Sequence, residues 1–170
     1  KVADWSGTTA PTVAFGQGYS VTAMQATSVF ATIANDGVRV SPTVIAGTSD
    51  SSGNYTPTET RESVRVISPE TAAQMRLMME SVVSANGTAP SAAIPGYRVA
   101  GKTGTAQRID DTCGCYRGYT ASFIGFAPAD KPAYVISVTI QDPKGMHWGG
   151  YLGGPVFKKV MSFVLQSKGI

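Results

Sequence analysis

Gly101-Lys102-Thr103-Gly104-Thr105-Ala106-Gln107 is the stretch on which the reading of this chain turns. Upstream, Tyr97-Arg98-Val99-Ala100 has the aromatic and β-branched character of a strand start. Downstream, Tyr119 to Phe126 and Tyr134 to Ile140 read as two further strands. The patch therefore belongs to a sheet, at an edge where backbone and side chains can both meet a ligand. Alternate side chains of a strand share a face. Thr103 and Thr105 then point one way and Lys102 the other. Two hydroxyls on one face make a cradle for a small carboxylate, and Gly104 between them lets a ligand backbone lie close. An edge strand also offers free N–H and C=O groups to an extended peptide. The Thr105 N–H can act as one oxyanion donor if a second lies opposite. These residues alone leave open a plainer reading, a solvent-facing strand with a glycine bulge.

Gly96 to Thr103 also fits the phosphate-binding pattern G-x-x-x-x-G-K-[ST]. Ile136 to Asp142 even resembles a strand ending in an acid. That pattern needs a buried strand before it and a helix directly after Lys-Thr. Here Ser91-Ala92-Ala93-Ile94-Pro95 precedes it and Gly104-Thr105 follows, so the context speaks against nucleotide binding.

The 170 residues are 42% hydrophobic, enough for one domain with a core. A net charge of +3, scattered along the chain, gives no footprint for nucleic acid. No apolar run is long enough for a membrane span or a signal peptide. The abrupt start at Lys1-Val2-Ala3-Asp4-Trp5, without Met, suggests a piece of something longer. Cys113-Gly114-Cys115 is the only cysteine pair. It reads as two thiols or a strained bridge in a loop, and lacks the further ligands of a structural zinc site. His147 is the single histidine. No metal site and no cofactor are expected, and a Ser-His-Asp triad is disfavoured.

Along the chain, Val13 to Gly18 reads as a glycine-punctuated lead-in. Thr22 with Gln25 reads as a capping box. Met24, Phe30, Ile33 and Ala34 recur at helical spacing, and Asn35-Asp36-Gly37 ends that helix. Val38 to Val40 and Val44-Ile45 suggest a short β excursion, and residues 48–60 a polar loop. Ser68-Pro69-Glu70 starts a second helix, with Ala72, Met75, Met79, Val82 and Val83 as its stripe and Gly87 as its stop. Gly153-Gly154-Pro155 opens a last helix, with Val156, Val160, Phe163 and Val164 facing inward. The product is an α+β fold, an antiparallel sheet with helices packed on it.

Five segments now occur in order: Phe15-Gly16-Gln17-Gly18-Tyr19-Ser20-Val21-Thr22, Ala31 to Gly37, Gly101 to Gln107, Ser122 to Pro128, and Gly153 to Phe157. Together they resemble the C-terminal half of the transpeptidase domain of class B penicillin-binding proteins, of the septal, cell-division type found in actinobacteria. The likeness covers nearly all of residues 1–170. It implies the penicillin-binding-protein and β-lactamase-like fold, with helices on both faces of the sheet. It also implies acyl transfer on peptidoglycan stem peptides. A serine attacks D-Ala-D-Ala, and β-lactams mimic that donor. By resemblance, Lys102 and Thr105 are catalytic: Lys102 tunes the charge of the cleft and the Thr105 N–H is an oxyanion donor. Thr103, Gly104, Thr105 and Gln107 bind substrate, and Tyr119 helps to wall the site.

That family also needs a nucleophile and base in S-x-x-K. No serine here has a lysine three residues later. Ser52-Gly53-Asn54 and Ser84-Ala85-Asn86 match its S-x-N element by chance. The nucleophile, the base and a second oxyanion donor are expected upstream, in an N-terminal remainder of the same domain, and this chain alone is expected to be inactive. Implied partners are stem peptides, the lipid-linked precursor, β-lactams and divisome proteins. The implied location is the outer face of the bacterial membrane, anchored by an N-terminal helix outside this chain. The competing readings are a serine β-lactamase or carboxypeptidase, and a non-catalytic penicillin-binding-like sensor or divisome scaffold.

Overall fold

The computed structural model describes residues 4–59 and 63–170. Residues 1–3 of the opening stretch and Thr60, the end of the expected polar loop, lie outside the described residues. In chain order the elements are α1 (Thr9–Ala14), α2 (Ala23–Ala34), β1 (Val38–Val40), β2 (Gly47–Ser49), β3 (Tyr55–Pro57), β4 (Ser63–Arg65), α3 (Pro69–Glu80), β5 (Ala100–Asp110), β6 (Cys115–Ala127), β7 (Tyr134–Gln141) and α4 (Gly149–Lys168). Short 3₁₀ turns at Ser81–Val83 and Pro90–Ala92 carry α3 towards β5.

The helix signals in the sequence act as written. Gln25 N–H donates to Thr22 Oγ1 at 3.1 Å, and Thr22 N–H donates back to Gln25 Oε1 at 2.9 Å. This satisfies two amides at the start of α2 that have no intrahelical partner. The chain leaves α2 through Asp36 and Gly37, both at positive φ. A Cβ on Gly37 would sit 2.2 Å from the Ile67 carbonyl oxygen, so only glycine fits there. Ser68 Oγ accepts from Thr71 N–H at 3.2 Å and caps α3, with Pro69 in its first turn.

The main sheet is antiparallel in the order β5-β6-β7, which puts β5 at an edge among the described strands. Lys102 pairs with Ile124, Thr103 with Phe123 and Thr105 with Ala121. One face buries Phe123 against Phe157, Met161 and Leu165 of α4, with Ile136 and Val138 of β7 beside them. The Phe123 and Phe157 rings meet edge-on, centroids 4.9 Å apart. At the Ala100 end of the opposite face, Phe126 packs with Ile33 of α2 and Met79 of α3. Helices thus pack on both faces of the sheet, on the second only at its Ala100 end. β5 stays extended straight through Lys102 and Thr103. No helix follows them, which removes the nucleotide-loop reading.

Three sequence readings are corrected. The last helix starts at Gly149, not at Gly153, and Pro155 lies inside it. Its buried face is Phe157, Met161 and Leu165, whereas Val156, Val160 and Phe163 are exposed. Glycine is a poor helix former, so Gly149-Gly150 does not announce a helix; tertiary contact decides it. Gly149, Gly150, Gly153 and Gly154 are all buried against neighbouring chain. Next, Val44 and Ile45 form no strand. The strands are β2 and β3, paired within the expected polar loop, together with β4, which pairs with β1. β3 and β4 are exposed throughout, so they lack the apolar alternation that marks a strand. Finally, Thr9–Ala14 is a short helix that precedes and overlaps the expected lead-in. Among the described residues, no helix is long and apolar enough to cross a membrane.

Candidate active site

The strand period separates the predicted residues as expected. Thr103 and Thr105 share the face that meets the start of α4. Thr105 Oγ1 accepts from Gly149 N–H at 3.2 Å. Thr103 Oγ1 lies 3.1 Å from Thr88 Oγ1, and its Cγ2 lies 3.0 Å from where a Cβ on Gly150 would be. Lys102 stands on the alternate register, exposed, and its Nζ donates to the Thr103 carbonyl at 2.8 Å. Its charge is thereby held at the Thr103 backbone, although its side chain leaves from the other face. A Cβ on Gly104 would meet Ser122 Oγ at 2.4 Å. That contact is with the rotatable end of the Ser122 side chain, not with its backbone.

Gln107 is exposed and sits at a register shift between Gln107 and Ile109. With Ala106, Ser122 and Thr139 it lines a cleft of about 730 Å³, across from Gly16 to Ala26. Lys102, Thr103 and Thr105 do not line that cleft; Gln107 does, two residues beyond Thr105 on the same strand. Tyr119 stacks on His147, centroids 4.0 Å apart and nearly parallel. His147 in turn lies 5.0 Å from Trp148, the residue before α4. Tyr119 therefore braces the loop that delivers α4 to the threonines.

Beyond Gln107 the β5–β6 hairpin is closed by a Cys113–Cys115 disulfide. Asp110 accepts from Thr112 N–H at 2.9 Å and faces Arg117 at 3.2 Å. Its carboxyl is held below the ordinary aspartate range, chiefly by the Thr112 hydroxyl and then by the Thr112 amide. The two S-x-N matches have local structural partners. Asp50 Oδ1 accepts from both Ser52 N–H and Asn54 N–H at 2.9 Å, and Ser84 Oγ donates to the Ser81 carbonyl at 2.7 Å.

Sequence reasoning missed Thr88, Gly149 and Gly150. The glycine pair ahead of a long apolar-periodic segment was the available signal for the last two. Nothing local marks Thr88, which reaches Thr103 across fifteen residues of sequence.

Residues 2–162 match the family described as penicillin binding protein transpeptidase domain. The chain belongs to this family. It is of the class B kind. It is 44% identical to the penicillin-binding protein PbpB of Mycolicibacterium smegmatis, across 95% of this chain and 26% of that protein. It is 39% identical to the stage V sporulation protein D of Bacillus subtilis, across 94% of this chain and 25% of that protein. The crystal structure of penicillin-binding protein 3 from Mycobacterium tuberculosis, complexed with aztreonam, superposes with a TM-score of 0.91 at 38% identity. It covers all of this chain and 40% of that one. The chain thus spans about a quarter of the length of the relatives it matches. Among the described strands of this family member, the one carrying Lys102 to Thr105 occupies the sheet edge.

Proposed function

We propose that this chain supplies the Lys102–Thr105 strand of a peptidoglycan D,D-transpeptidase, whose nucleophilic serine and lysine base lie in the rest of the same domain. The observation that carries the reading is the pair of hydroxyls on one face of an edge strand, with the Lys102 ammonium held at the Thr103 carbonyl. A ligand carboxylate is an acceptor only, so it suits two hydroxyl donors beside a cation. Family membership supports the same chemistry. A relative from Neisseria gonorrhoeae is named a probable peptidoglycan D,D-transpeptidase, and the Mycobacterium tuberculosis protein binds ampicillin and aztreonam.

On this reading a serine outside the chain attacks the D-Ala-D-Ala carbonyl. The acyl–enzyme bond forms, D-Ala leaves with the proton delivered to its amine, and an amine of a neighbouring stem peptide accepts the acyl group. Thr103 and Thr105 hold the terminal carboxylate, and the Thr105 N–H is one donor to the oxyanion. Gly104 gives the extended peptide room, and Gln107 contacts it further along the strand. On the same reading the protein works at the outer face of the membrane, in septal wall synthesis with divisome partners.

Intact-mass measurement after incubation with benzylpenicillin tests this. The longer protein should gain one penicilloyl adduct, mapped outside residues 1–170, while the isolated chain stays unmodified. An unmodified but folded longer protein would leave the sensor or scaffold reading in its place. Hydrolysis of the penicillin at many turnovers would instead indicate a β-lactamase.

A further inference from the structure

We propose that Thr88 is a positioning residue for substrate recognition: its hydroxyl donates to Thr103 Oγ1 and so reserves the Thr103 proton for the ligand carboxylate. The inference rests on the transpeptidase reading and names how its carboxylate subsite is set.

Thr105 shows how a hydroxyl on this face is set. A hydroxyl has one proton to give and two lone pairs to receive. Gly149 N–H can only donate, and it occupies a lone pair of Thr105 Oγ1 at 3.2 Å. What remains to face a ligand includes the Thr105 proton, so this hydroxyl is set as a donor. The bond is also needed by α4. The first amides of a helix lack intrahelical acceptors, and Trp148 at the cap position provides no side-chain bond. Thr105 caps α4 from a different element, forty-four residues away.

Among the described residues, Thr103 has no backbone amide in the corresponding place; it has Thr88. The two hydroxyl oxygens are 3.1 Å apart, and either could donate. If Thr103 donates, its proton is spent and a carboxylate meets a lone pair. If Thr88 donates, Thr103 matches Thr105 and both present protons to one anion. A carboxylate accepts only, so its arrival selects the second arrangement.

Thr88 is built to stay in place. Ala89 beside it is buried, and its N–H donates to the Val82 carbonyl at 2.9 Å. The Thr88 carbonyl lies 2.1 Å from where a Cβ on Gly150 would be, so this backbone is packed directly on the first turn of α4. Ser91 Oγ donates to the Gly150 carbonyl at 3.1 Å. Residues 88–91 and the start of α4 are therefore one unit, and that unit touches both threonines.

The test uses the full protein that carries this chain, with benzylpenicillin and its methyl ester as probes. Half-saturation and the limiting acylation rate are measured separately for wild type, Thr88→Val, Thr88→Ser, Thr103→Val and the Thr88→Val/Thr103→Val pair. Thr88 is exposed, and a thermal melt confirms that each variant folds. Thr88→Val should raise the half-saturation concentration for the acid about three- to tenfold, the span of one hydrogen bond. The limiting rate should stay within about twofold, and the ester should show no shift. Thr88→Ser should restore the wild-type value, and Thr88→Val should add nothing once Thr103 is Val. Equal losses for acid and ester, failure of serine to restore, full additivity in the pair, or no effect of Thr88→Val would each overturn the proposal. A wild-type protein that penicillin does not acylate would overturn the transpeptidase reading itself, a result separate from all of these.

Discussion

At the scale of single residues, Gly149 is wedged against two strands at once. A Cβ there would lie 2.2 Å from the carbonyl oxygens of both Gly104 and Ser122. Gly149→Ala must push α4 off the sheet, and overpacking of this kind costs about 1–3 kcal/mol. A fall in thermal midpoint and a loss of penicillin acylation are expected together; a variant that keeps both would show that the contact can relax. Thr105→Val removes the acceptor for Gly149 N–H as well as a ligand donor. It should weaken acylation more than Thr105→Ser, which keeps the hydroxyl, and acylation kinetics compare the two. Asp110 offers a third check. Its carboxyl is held low by the Thr112 hydroxyl and amide, so its ionised form is favoured when folded. The stabilisation it brings is present above the unfolded aspartate value of about 3.9 and is lost as pH falls through the lower folded value. The Thr112 amide shift in an NMR titration should report a midpoint below about 3.9. A midpoint at or above that value would contradict the geometry.

At the scale of elements, α4 shows how far local pattern goes. The apolar residues of this segment fit two adjacent helical stripes, Val156-Val160-Phe163-Val164 and Phe157-Met161-Leu165. Both have helical period, and only contact with Phe123 chooses the second. Phe157→Ala should cost about 3–5 kcal/mol by denaturant melt, since it empties a site in the centre of the sheet face. Helices α2 and α3 were readable to the residue at their starts because their caps are local chemistry, Thr22 with Gln25 and Ser68 with Thr71. The β2–β3 hairpin was not, since its strands lie on the surface and carry no alternation. Its turn is held by Asp50, whose bonds to Ser52 and Asn54 resemble any polar loop in sequence.

At the scale of the whole molecule, the sheet has one helix-covered face and one face only partly covered. The exposed side of α4 presents Phe163 at 70%, Val156 at 45% and Val160 at 42% exposure. Phe15, Tyr19 and Met24 are exposed beside the cleft segment. On the proposed reading the remainder of the domain covers these residues, since exposed apolar patches mark interaction surfaces. The isolated 170-residue chain should then bind more of the dye ANS per mole than the longer protein, and equal signals would count against that expectation.

Local sequence by itself determined the class of the fold, the starts of α2 and α3, the three long strands and the edge position of Lys102 to Thr105, because caps, turn residues and strand period act over a few residues. The alternation that sets Thr103 and Thr105 on one face was legible for the same reason. Only the tertiary structure decided what those hydroxyls meet. Thr88 reaches Thr103 and Gly149 reaches Thr105 from fifteen and forty-four residues away, and no local propensity encodes a distance closed by packing α4 onto β5.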